Sequence, residues 1–73
     1  MDVEVLRSGF LADGRFFSVE VVAHRSRWEA RLVCVPGEFS RSLKISPSKQ
    51  ELSNWAEKLT IEEIEQLASQ GPR

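Results

Sequence analysis

Between Val3 and Ile45 the apolar residues recur with a period of two, and this feature constrains the fold more than any other in the chain. A period of two puts alternate side chains on one face of an extended strand, and no helix satisfies it. The pattern breaks at turn-forming residues, Asp13-Gly14, Arg25-Ser26 and Pro36-Gly37. It therefore predicts four strands in an antiparallel meander. Asp-Gly suits a tight hairpin with positive φ at both turn positions, and Pro-Gly suits a type II turn.

Pairing residues across each turn tests the register, because a slip of one residue would exchange the two faces. Folding about Arg25-Ser26 sets Ala23 against Trp28, Val21 against Ala30, Val19 against Leu32 and Phe17 against Cys34. Folding about Pro36-Gly37 sets Cys34 against Phe39, Ala30 against Leu43 and Trp28 against Ile45. The predicted core face is then Phe17, Val19, Val21, Ala23, Trp28, Ala30, Leu32, Cys34, Phe39, Leu43 and Ile45, with Arg41 its one charged member. Trp28, opposite both Ala23 and Ile45, is expected to be a principal core residue. Strict pairing about Asp13-Gly14 adds Leu6 and Phe10 to that face but turns Val3 and Val5 away. A bulge at Ser8-Gly9 would bring the two valines back.

After Ile45 the period becomes helical, with Leu52, Trp55, Ala56 and Leu59 on one stripe. Ser48 and Glu51 have the spacing of a capping box, just after Pro47. The next apolar set, Ile61, Ile64, Leu67 and Ala68, lies well round the helix axis from the first, so one straight helix could not bury both. Thr60 and Glu63 form a second capping box, and Leu59 and Ile64 hold the positions of a hydrophobic staple. The chain is thus expected to turn at Thr60 and to end its second helix near Gln70, at Gly71-Pro72. The expected fold is α+β, one domain over 1–73: a four-stranded antiparallel meander over 3–46, then two short C-terminal helices, 48–59 and 61–70, packed on one face.

Ten Lys and Arg balance eleven Asp and Glu, so the net charge of −1 favours neither nucleic acid nor an anionic membrane. No apolar run approaches the roughly 20 residues that span a bilayer, and the first residues do not read as a secretion signal. Cys34 is the single cysteine, which leaves no internal disulfide and fits a reducing compartment. A cytoplasmic location is expected.

Few residues invite a chemical reading. His24 and Cys34 could in principle form a base and nucleophile. The register instead puts His24 on the outer face near a turn and Cys34 in the core about three ladder pairs away. Glu51, Glu57, Glu62, Glu63 and Glu65 read as a solvated helical face, not as convergent metal ligands. The glycines are dispersed at turns, so there is no phosphate-binding loop. No catalytic, metal or cofactor site is expected. Arg25, Arg27 and Arg31 are the candidates for nucleic-acid binding, but such a sheet would also show exposed aromatics, and only Phe16 is predicted outside. Glu20 opposite Arg31, and Glu29 opposite Lys44, are expected to absorb positive charge on that face.

The predicted outer face also carries Phe16, Val22, Val33 and Val35, apolar residues on the side away from the helices. A contiguous exposed apolar patch marks an interface. These four are the protein-binding candidates, and they point to a non-enzymatic module that forms a homodimer or docks on a larger protein; a nucleic-acid-binding sheet is the alternative. In layout the chain resembles the small phage-borne anti-CRISPR inhibitors of CRISPR surveillance complexes, some of which pair an antiparallel sheet with terminal helices. The likeness is one of layout and rests on no specific motif, since Trp55 and Leu59 in an amphipathic helix after a strand are common property. It spans the chain, implies a small inhibitor and transfers no site residue.

Overall fold

The computed structural model describes residues 3–35 and 39–69. Four eight-residue strands, β1 (Val3–Phe10), β2 (Phe16–Ala23), β3 (Trp28–Val35) and β4 (Phe39–Ser46), form one sheet in the order β1-β2-β3-β4. Every neighbouring pair is antiparallel. Helices α1 (Lys49–Glu57) and α2 (Ile61–Ser69) follow. This is the meander and helix pair that the change of period predicts.

The central hairpin has the expected register at all its pairs, from Phe16↔Val35 to Ala23↔Trp28. The His24 amide closes the two-residue turn by donating to the Arg27 carbonyl at 2.8 Å. Pro36-Gly37 lies outside the described residues, but Cys34 does pair with Phe39.

The first hairpin departs from expectation by one residue. Gly14 has φ +92° and donates to the Leu11 carbonyl at 3.0 Å, while the Leu11 amide donates to Arg15 at 2.8 Å. The loop is therefore the three residues Ala12-Asp13-Gly14, with positive φ at the glycine. Phe10 consequently pairs with Phe16 and lies on the outer face, not in the core. The bulge in β1 falls between Val5 and Arg7, at Leu6. Leu6 packs on the core, and Val3 and Val5 stay outside, where the predicted Ser8-Gly9 bulge would have turned them in.

A second bulge, at Leu43, separates Ala30↔Lys44 from Arg31↔Ser42. It reverses the alternation beyond it, so Trp28 pairs with Ser46 and Ile45 moves to the outer face opposite Glu29. The physical reason lies at the start of α1. Ser46, now inward and 1% exposed, donates its hydroxyl to Glu51 at 2.9 Å and accepts the Ser48 amide at 3.1 Å. Glu51 is thereby drawn away from the reciprocal half of its box, while its own amide still bonds Ser48 Oγ at 3.2 Å. The Glu29 to Lys44 pairing is lost with the same shift.

The core lies between the sheet and both helices. Phe17, Val19, Leu32 and Cys34 meet Ala56, Ile64 and Ala68, and a second cluster joins Val21, Ala30 and Leu52. Leu6 and Trp55 pack against both clusters and connect them. Trp28 is a rim residue, half-buried, with Lys49 Nζ 5.5 Å from its ring centroid and Ser46 instead of Ile45 opposite it. Ala23 at the strand end and Ile61 at the helix start, both predicted apolar contacts, are exposed.

The break between the helices forms as the spacing requires. Glu63 donates its amide to Thr60 Oγ1 at 3.1 Å and accepts the Thr60 amide at 2.8 Å. Removing this cap by Thr60→Ala is expected to lower stability by about 1 kcal/mol. Chemical denaturation checks the value, and helical chemical shifts running unbroken through Leu59, Thr60 and Ile61 would contradict the two-helix break.

Candidate functional site

Seven large apolar residues are exposed among the described residues, and six of them share the sheet face opposite the helices. They are Val3, Val5, Phe10, Phe16, Val35 and Ile45. Residues paired across a ladder project to the same side, so the registers order this face into four rows. Phe10, Phe16 and Val35 form the first row, and Ser8, Ser18, Val33 and Ser40 the second. Val5, Glu20, Arg31 and Ser42 form the third, and Val3, Val22, Glu29 and Ile45 the fourth. The face is thus apolar at one end, mixed at the other, and polar through the middle.

At the apolar end Phe10, 71% exposed, meets Phe16 edge to face with ring centroids 5.5 Å apart. Of the four candidates read from the sequence, Phe16 and Val35 are exposed and Val22 and Val33 half-buried, all on this face. Sequence reasoning missed Phe10, Val3, Val5 and Ile45. A glycine that closes Ala12-Asp13-Gly14 fits a three-residue loop as well as a two-residue turn, and that reading would have turned Phe10 outward. Ile45 had no local signal, because its position depends on the bulge that serves Ser46.

A bonded network joins the polar middle to the mixed end, centred on Glu29 of the fourth row, which is only 9% exposed. Its carboxylate meets His24 Nε2 at 2.8 Å and accepts from Arg31 at 3.0 Å. A hydrogen bond from Ser42, then the one with His24, holds its carboxyl below the usual glutamate range. Arg31 also reaches Ser40 Oγ at 2.8 Å. A depressed acid stabilises the fold above its unfolded pKa, and the contribution is lost as pH falls through the folded value. Acidification from about pH 4.5 downward should therefore destabilise the wild type more steeply than Glu29→Gln. Thermal melts at pH 6, 4 and 3 check this, and parallel slopes would contradict it.

The remaining candidates do not converge. Arg25 and Arg27 are exposed at the β2–β3 turn, at the opposite end of the face from Phe10 and Phe16. Arg31 stands apart from them, tied to Glu29 and Ser40. Glu20 is paired with Arg31 in the ladder, as expected, but its carboxylate accepts the Ser18 hydroxyl at 3.0 Å instead of the guanidinium. Cys34 is fully buried, and burial pushes its thiol up, away from the reactive thiolate. His24 lies at the other end of the sheet. Glu51, Glu63 and Glu65 are engaged with Ser46, Thr60 and the Ala12 amide. Among the described residues no group of three or more His, Cys, Asp and Glu is placed to hold a metal ion. Among the described residues no helix is long and apolar enough to cross a membrane. No protein-family model, curated protein or solved structure matches this chain.

Proposed function

We propose that the protein is a non-enzymatic binding module that engages another protein surface through the outer face of its sheet. The observation that carries this reading is the collection of Val3, Val5, Phe10, Phe16, Val35 and Ile45 on one face, left open by the helices. Exposed large apolar residues scattered singly are ordinary, whereas a set gathered on one rigid face marks a contact surface. The charged groups on the face add no unsatisfied group, since Glu29 is bonded to His24 and Arg31. An inhibitor that docks on a larger protein would use the same face. The buried free thiol of Cys34 fits a reducing compartment, and we place the protein in the cytoplasm.

Affinity capture from the native host, with wild type and Phe10→Glu as parallel baits, tests the reading. The proposal expects proteins, or further copies of the chain, that the wild type retains and Phe10→Glu loses. Identical recovery by both baits would overturn the choice of face. Recovery of RNA or DNA, lost on changing Arg25 and Arg27, would favour the nucleic-acid alternative.

A further inference from the structure

The charges on the outer face are arranged so that the face complements itself. Glu20 and Arg31 are neighbours in the β2–β3 ladder, yet no ion pair joins them: Glu20 takes the Ser18 hydroxyl, and Arg31 turns toward Glu29 and Ser40. The third row therefore presents an acidic position on β2 and a basic position on β3. Resting on the interface reading above, we propose that the occupant of this face is a second copy of the chain, laid face to face about a two-fold axis that runs parallel to the strands between β2 and β3.

Under that axis β2 of each copy lies over β3 of the other. Glu20 then faces Arg31 of the second copy, and symmetry makes the contact twice. Phe16 faces Val35 and, at the sheet edges, Val3 faces Ile45. A two-fold axis perpendicular to the strands stacks β3 on β3 instead. It sets Val33 against Arg31 and Val35 against Glu29, charges over apolar side chains, with no opposite charges matched. The first axis has one such contact, Val22 against Glu29, but matches Glu20 with Arg31 twice, so charge complementarity selects it.

Size and net charge agree. Eight residues at about 3.4 Å each and strands about 4.8 Å apart give a face of roughly 500 Å². Two such faces bury on the order of 1,000 Å², the lower bound for a specific interface. A net charge of −1 offers little repulsion between copies. The association is accordingly one that dilution reverses.

The edge contact allows a test in which the core is untouched, because Val3 and Ile45 are 48% and 53% exposed. Val3→Cys and Ile45→Cys are prepared separately and treated with a short bis-maleimide, which adds one thiol at each end, each alone and as an equimolar mixture. Cys34 is buried and stays out of the reaction. The proposed axis brings position 3 of one copy over position 45 of the other, so the mixture should give a covalent dimer several-fold faster than either variant alone. Equal rates in all three samples, or no covalent dimer in any, would overturn the two-copy arrangement. The wider reading fails separately, on identical recovery by wild-type and Phe10→Glu baits. Loss of a heterologous protein by Phe10→Glu in the capture experiment, beside a monomeric wild type, removes the second copy and leaves the interface in place.

Discussion

Replacing Phe17 with alanine should destabilise the protein by about 3 to 5 kcal/mol, the range for emptying a buried aromatic site. Phe17 is 1% exposed and sits in the larger core cluster with Leu11, Val19, Leu32, Cys34, Ile64 and Ala68. Its ring also lies across Gly9 in the neighbouring strand, where an added Cβ would come within 3.1 Å of Cε2. The truncation thus opens space against β1, β3 and α2 together, which no single neighbour can refill. Natural domains hold roughly 0.05 to 0.15 kcal/mol per residue. For 73 residues that is on the order of 4 to 11 kcal/mol, so the variant should be largely unfolded at 37 °C or close to it. Circular dichroism with temperature checks the result, and a melting curve near that of the wild type would contradict the core assignment.

Arg7→Ala should lose about 2 to 3 kcal/mol, a large effect for a residue on an edge strand. Arg7 pairs with Val19 and therefore points to the helix side of the sheet. There its guanidinium donates to the Ala56 carbonyl at 3.2 Å and to the Leu59 carbonyl. These carbonyls close the end of α1, which has no basic residue in its own last turn. A cation from β1 supplies what the helix lacks, satisfying carbonyls and opposing the negative end of the dipole. Half-buried hydrogen bonds to a charged group are worth more than neutral ones. Arg7→Lys keeps the charge but not the fork, and should recover part of the loss. Urea midpoints measure both, and an Arg7→Ala midpoint equal to the wild type would remove Arg7 as the tie between β1 and α1.

The parts of the fold legible in the sequence are those set by local pattern. The β2–β3 register needed only the alternation on either side of Arg25-Ser26, and the Thr60 break needed only the capping spacing and the angle between two apolar stripes. What could not be read were departures of a single residue. Two are favoured by contacts with α1 that strand alternation does not encode: Ser46 turned inward to hold its first turn, two to five residues on, and Arg7 turned inward to close its last, about fifty residues on. Because each departure flips the alternation, the misplaced residues, Phe10, Val3, Val5 and Ile45, all belong to the outer face. The four apolar candidates were thus correctly placed on that face, but its extent was underestimated. The edge strands added the rest: the three-residue loop turned Phe10 outward, the bulge at Leu6 kept Val3 and Val5 there, and the bulge at Leu43 exposed Ile45.

The measurement that bears most directly on this account is sedimentation velocity of Phe10→Glu, run beside its thermal melt and those of the wild type. Phe10 is exposed on the open face, and substitutions at such positions usually stay within about 0.5 kcal/mol. The account predicts a melting temperature shifted by no more than a few degrees, and a variant that remains monomeric at concentrations where the wild type associates. An equally associated variant, or one destabilised as severely as Phe17→Ala, would contradict it.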